Sequence, residues 1–334
     1  MFKIHTKLIK KLLIPVLVLL IAISVIGCQE EEKPPSAPVA PRGLPSPSEL
    51  CRTSVPNTDL DVYLYIKQDN PTTLPADMFN MSFDLEVESL AIWGVPVEDN
   101  FTFGYGLTLS SSSDASLLYA QITPEENSWT ALSGSTIYFV EGSGIAAETL
   151  KTAISSSDFK NYDDKKSLEA VAALPNDGTT KLGGVAVVKP SKALMSHVTK
   201  GADSQGFGVI DLILGLVRLD VVVAGLYSPH QIEVAQITQM VESGSIRGSN
   251  IDILVLVKSG LPGFIVAPVV KKFLAEFDFT QTTLGEITLY KRTVSADNGE
   301  PVYILGRVEG NYIFAAISGQ EAYAQTLITR VNKW

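Results

Sequence analysis

The stretch 283–317, TLGEITLYKRTVSADNGEPVYILGRVEGNYIFAAI, decides the fold class. Apolar and polar residues alternate from Ile287 to Val294, from Val302 to Val308 and from Tyr312 to Ile317, the period-two spacing of strands with one buried face. Asp297-Asn298-Gly299 and Glu309-Gly310-Asn311 separate these runs. Asn and Gly pairs between alternating segments are the strongest short hairpin signal, so an antiparallel meander is expected here. Beyond it the spacing becomes helical, at 320–331, and upstream a strand Ile251–Lys258 leads into a helix at 262–277.

Working outward, the order of elements recurs in the first half. Leu60-Asp61-Val62 opens a strand to Ile66, as Leu219-Asp220-Val221 opens one to Ala224, and helices are expected after them at 75–90 and 230–242. Strand Phe101–Leu109, with a helix at 113–121, stands where Ile251–Lys258 and its helix stand. Ser133-Gly134-Ser135-Thr136-Ile137-Tyr138-Phe139 then matches Glu309–Ala315, and both run into small-residue helices, at 145–155 and 320–331. The expected fold is α+β: two related α+β repeats with largely antiparallel sheets and flanking helices, the first in 51–200 with a connecting segment and the second in 201–334. The strands around Ile137 and Ile313 should hold corresponding sheet positions.

Between the halves, 166–174 reads as a helix, Pro175-Asn176-Asp177-Gly178 as a turn, and Gly184–Val188 as a strand followed by a helix from Pro190. Phe207–Tyr227 is apolar enough to suggest a membrane span, but Asp211, Arg218 and Asp220 interrupt it, which favours a buried helix joined to a buried strand.

The N-terminus carries an address. Lys3, Lys7, Lys10 and Lys11 precede an apolar and small-residue run from Leu12 to Gly27, too short to span about 30 Å of hydrocarbon. The run ends Val25-Ile26-Gly27-Cys28, which resembles the lipobox of bacterial lipoproteins, with Ile26 bulkier than the usual residue at its place. The resemblance covers about the first 28 residues and implies that 1–27 is a removed signal peptide and Cys28 the acylated first residue of the mature chain. Two or three acyl chains at about 0.8 kcal/mol per buried CH₂ hold a protein permanently. The expected address is the extracytoplasmic face of a bacterial cell membrane. The rest of the chain resembles exported two-repeat lipoproteins of uncharacterised function, a likeness of pattern that implies no activity.

Residues 28–50 then read as the lipidated Cys and a stalk, with prolines at 34, 35, 38, 41, 45 and 47. Such a segment buries no core and favours polyproline II. Cys51 is the chain's other cysteine, so a thioether at Cys28 leaves it without a partner, whereas an unlipidated Cys28 is free to pair with it in an oxidising compartment. The chain has 26 basic and 36 acidic residues, and losing the signal lysines leaves 22 basic against the same acids. That balance disfavours nucleic acid, which calls for clustered Lys and Arg.

Chemical constellations are few. His5 leaves with the signal, and His197 and His230 lack partners at metal-ligand or catalytic spacing. Ser157-Asp158-Phe159-Lys160 has the Ser-x-x-Lys spacing of penicillin-recognising enzymes without their accompanying elements, and Ser143 lies in Glu141-Gly142-Ser143-Gly144, short of a nucleophile elbow. Gly206-Phe207-Gly208 begins a dinucleotide pattern that Asp211 breaks. Asp61 and Asp220, at the openings of matching strands, are the best candidates for paired carboxylates, against the reading of solvated strand entrances. Asn80-Met81-Ser82 and Asn100-Phe101-Thr102 are formal sequons. No catalytic, cofactor or metal residue is assigned, and Cys28 is the one site.

Three functions are left open: a non-enzymatic lipoprotein binding an envelope protein or amphiphilic ligand; a solute-binding component of a transporter, expected to be two-lobed with parallel sheets; and an exported hydrolase.

Overall fold

The computed structural model describes residues 46–74, 85–98, 100–122, 127–177, 179–194, 219–227, 251–276, 278–295 and 301–331. Cys28, the stalk through residue 45, both later histidines, the glycines at 206 and 208, the Asn80 sequon, the turn at 297–299 and the expected helix at 230–242 lie outside them.

In chain order the elements are α1 (Pro47–Cys51), β1 (Ser54–Pro56), β2 (Val62–Leu74), β3 (Leu85–Val97), β4 (Asn100–Leu109), α2 (Ser112–Gln121), β5 (Ser128–Ser133), β6 (Thr136–Glu141), α3 (Ile145–Ser155), β7 (Phe159–Asn161), α4 (Lys165–Ala172), β8 (Leu182–Val188), β9 (Leu219–Tyr227), β10 (Asp252–Ser259), α5 (Gly263–Glu276), β11 (Thr280–Leu284), β12 (Ile287–Ser295), β13 (Pro301–Glu309), β14 (Tyr312–Ser318) and α6 (Glu321–Arg330). The fold is α+β with antiparallel sheet, as the meander announces. Twelve strands form one sheet in the order β11-β12-β13-β14-β10-β9-β8-β2-β3-β4-β6-β5, and β1 pairs with β7 beside it.

The expected helix at 75–90 is corrected over its described part, because residues 85–90 open β3. Leu85 and Val87 are buried while Glu86 and Glu88 are exposed, a period of two that excludes a helical face. Pro96 is tolerated because β3 pairs with β2 only as far as Gly94, so the missing N–H falls where one side of the strand has no β2 partner. At the other end of the stalk, α1 draws Pro47 to Cys51 into the body: Ser46 and Glu49 form a capping box, and Leu50 and Cys51 are buried.

Both faces of the sheet are covered, which explains the near-continuous apolar runs of β8, β9 and β10. One face packs Val222, Ala224, Val255 and Ile313 with Val266, Val270 and Leu274 of α5. On that face farther along, α2 covers Leu109 and Ile137 through Ala115 and Leu118. The opposite face carries α3 through Ala147 and Leu150, α4 through Ala170 and Val171, and α6 through Ala324 and Leu327.

Pairing across the sheet has two-fold register symmetry. At the junction Val62 pairs with Val188, Leu64 with Ala186 and Ile66 with Gly184, so exchanging the two strands about the Leu64–Ala186 pair returns the same ladder. Moving outward, Ile66↔Leu90, Leu90↔Leu107, Leu107↔Ile137 and Ile137↔Leu132 on one side answer Val188↔Val222, Val222↔Val257, Val257↔Ile313 and Ile313↔Val308 on the other. The strands of Ile137 and Ile313 therefore correspond, each closed by a two-residue hairpin with Gly134 or Gly310 at φ 59° or 61°. β9 is the counterpart of β3, however, and β2 answers to β8, so Asp61 and Asp220 do not occupy matching places. Within the twelve-stranded sheet, and among the described residues, β12 and β11 are the strands without counterparts.

Candidate functional site

The register symmetry shows what the scaffold needs and what one half adds. In the first half the place beneath the start of α3 is filled by Val95, Thr102 and, next along, Gly142; Val95 pairs with Thr102. In the second half the same places beneath α6 hold Tyr227, Asp252 and Ser318, with Asp252 paired directly with Tyr227. A buried acid and phenol stand where the same fold closes with a valine and a threonine.

Each group is positioned by a regular element. Asp252 is the first residue of β10 and is 9% exposed; Ser318 is the last of β14 and is buried. Burial pushes the Asp252 carboxyl up to about 6, partly offset by its hydrogen bond with Ser318. The Ser318 hydroxyl also accepts from the Gln320 backbone N–H at 2.9 Å, tying the row to the entry of α6. Tyr227 donates its phenol to the Pro175 carbonyl at 3.0 Å, and burial holds its hydroxyl well above the usual range. Tyr323 of α6 faces Asp252 and Asp177, and burial together with those carboxylates pushes its phenol up to about 12. The Arg330 guanidinium, at the far end of α6, is held by Asp177 at 2.5 Å and by the Thr179 hydroxyl. Burial acts against ionisation of Asp177, yet hydrogen bonds from Thr179 and Thr180 and the Arg330 charge hold it at about 2. The arrangement can take up and release a proton near neutrality. Among the described residues it contains neither a nucleophile aligned with a base nor a group of three or more His, Cys, Asp or Glu side chains able to hold a metal ion.

The residues singled out in the sequence fall elsewhere. Asp61 lies just before β2, buried, accepting from the Ser191 hydroxyl, with Lys189 nearby; burial raises its carboxyl above the ordinary range. Asp220 instead meets Lys166 at 3.0 Å on the surface. The two acids have separate partners and are not a pair. Ser157 sits past the end of α3 at φ 55°, and Lys160 is in β7, so no helical turn brings them together. Gly142 and Gly144, at φ 91° and 95°, shape the turn into α3 around Ser143. In the Asn100 sequon, Asn100 is exposed while Thr102 is buried and donates to the Glu141 carbonyl. Cys51 is 0% exposed, and burial raises its thiol to about 12.

Asp252, Tyr323 and Arg330 were missed by motif reading because they belong to no motif. The available signal was the acid opening an otherwise apolar strand, Asp252-Ile253-Leu254-Val255-Leu256-Val257. Compared with known proteins, the chain matches no family, no curated protein and no solved structure.

Proposed function

We propose that the chain is a lipoprotein tethered through Cys28 to the extracytoplasmic face of a bacterial cell membrane, with a non-enzymatic binding or structural role at the envelope. The observation that carries the reading is Leu12–Cys28 itself, an export run ending in Val-Ile-Gly-Cys. The state of Cys51 supports it. A thiol without exposure, in a helix packed on α4, is withdrawn from any disulfide with Cys28, which leaves that sulfur free for acylation. No helix among the described residues is long and apolar enough to cross a membrane, so the anchoring assigned to Cys28 has no helical substitute there. The unbroken antiparallel sheet, with β8 paired to β2, favours a rigid platform over two lobes hinged about a cleft, and thereby over the transporter reading.

Replacing Cys28 by Ala tests this. The expected outcome is loss of the protein from the detergent phase on partitioning, with an unchanged circular dichroism spectrum. Full retention of the variant in the detergent phase overturns the proposal.

A further inference from the structure

The geometry points to a proton-operated latch on α6: with Asp252 protonated the Tyr227–Asp252–Ser318 row is closed and α6 stays seated, and with Asp252 ionised α6 opens more often. Three independent observations support it. The first is the two-fold register, in which Val95, Thr102 and Gly142 fill the same place under α3. The fold has a neutral solution for this position, so the acid is an addition and not a requirement.

The second is the set of groups that face the carboxyl. Ser318 of β14 hydrogen-bonds it, Tyr323 of α6 faces it, and Tyr227 of β9 is its register partner. Arg330, the cation beside Tyr323, is engaged by Asp177 and Thr179. An ionised Asp252 therefore has a single hydroxyl to stabilise it in a largely dry place, a costly arrangement that water relieves if α6 lifts.

The third is the mechanical link. Ser318, which bonds Asp252, also receives the Gln320 N–H, and Gln320 caps α6 with its backbone carbonyl, taken by Tyr323 and Ala324. The first turn of α6 is therefore tied to the seat of the buried carboxyl, and it is this turn that must lift for water to reach an ionised Asp252. The buried residues of that helix are Ala324, Leu327 and Ile328, so each opening presents an apolar seat beside Phe314 and Ala316.

Thermodynamic linkage gives the sign. A carboxyl whose folded value lies above its unfolded one binds more protons in the folded state across that interval, so seating is strongest at low pH and weakens as pH rises through about 6. Hydrogen exchange of the α6 amides in the full mature chain, corrected for intrinsic rates, measures this. Protection should fall about tenfold between about pH 5 and pH 7.5, and should be flat in Asp252→Asn. Equal pH dependence in the variant, or none in the parent, overturns the latch. If Asp252→Asn does not fold, Ser318→Ala decides. It keeps the acid but removes the hydroxyl that favours ionisation, so the midpoint of the protection change must move to higher pH, and an unmoved midpoint overturns the proposal.

Discussion

Single residues show how two halves with one plan keep different interiors. Trp93 fills the first half, and Gly106 on the adjacent strand makes room for it, since a Cβ there would stand 2.8 Å from the indole ring. At the place of Trp93 the second half has Gly225, where a Cβ would meet the Tyr227 ring at 2.7 Å. We expect Gly106→Val to cost about 1–3 kcal/mol through overpacking against Trp93, seen as a lower urea midpoint at unchanged slope. The thiol of Cys51 gives a second test. It should resist alkylation at pH 8 in the folded chain and react at once in denaturant, because a buried thiol held at about 12 supplies almost no thiolate. None of these exchanges was legible in the sequence, where Trp93 and Gly225 are unremarkable members of apolar runs. Only the paired register reveals that they answer each other.

Among the elements, the hairpins were the most legible. Gly134 and Gly310 take φ near 60° at the first turn position of the two matching hairpins read in the sequence; Gly285 does the same in the β11–β12 hairpin, whose polar strand Thr-Gln-Thr-Thr-Leu gave no alternation to read. Gly310 has a further role: a Cβ on Gly263 would lie 2.5 Å from the Gly310 backbone, so the start of α5 rests against the β13–β14 turn. Gly263→Ala should therefore destabilise more than Gly310→Ala, whose cost is the positive φ alone, about 1 kcal/mol. Equal melting temperatures for the two variants would argue that this contact is loose. The helices α2 to α6 fall within a few residues of the periods read for them, because capping and small-residue spacing act locally. β3 was misread for the opposite reason. Leu85-Glu86-Val87-Glu88 does alternate, but Leu90 and Ala91 continue with no turn residue before Trp93, and only pairing with β2 and β4 fixes the run as extended. The Asp252 row was illegible on the same grounds, since its three strands are joined by pairing and not by sequence spacing.

At the scale of the whole molecule, the two halves share one sheet and a common core on each face. Leu64, Ile92, Ala186 and Val255 belong to one cluster, and Tyr63, Leu150, Val223 and Leu327 to the other. The chain should therefore unfold in urea as a single transition, with β3 and β10 amides exchanging at the same free energy. Two separated transitions would show that the β2–β8 junction is weaker than the halves it joins. Superposed on that transition, stability should decline from mildly acidic to neutral pH, because Asp252 and Asp61 both bind protons more tightly folded than unfolded. Asp252→Asn should remove the larger part of the decline near pH 6.

The junction has a kinetic side. The ladder from β2 out to β5 closes within residues 62–141, whereas the other side of β2 waits for Leu182–Val188 to arrive. During that wait a strand destined for the middle of a twelve-stranded sheet is an edge, open to pairing with any neighbouring copy. Its eventual partner opens with Leu182-Gly183-Gly184 and must also pair with β9 on its other side, in a ladder that shifts register between Leu182 and Gly184. Pairing across more than a hundred residues waits on loop closure, so the interval is long on the timescale of local hairpin closure. Folding yield, more than final stability, is then what this junction governs: substitutions at Leu64 and Ala186 should lower recovery on refolding at high protein concentration, while the same recovery at high dilution stays near that of the parent.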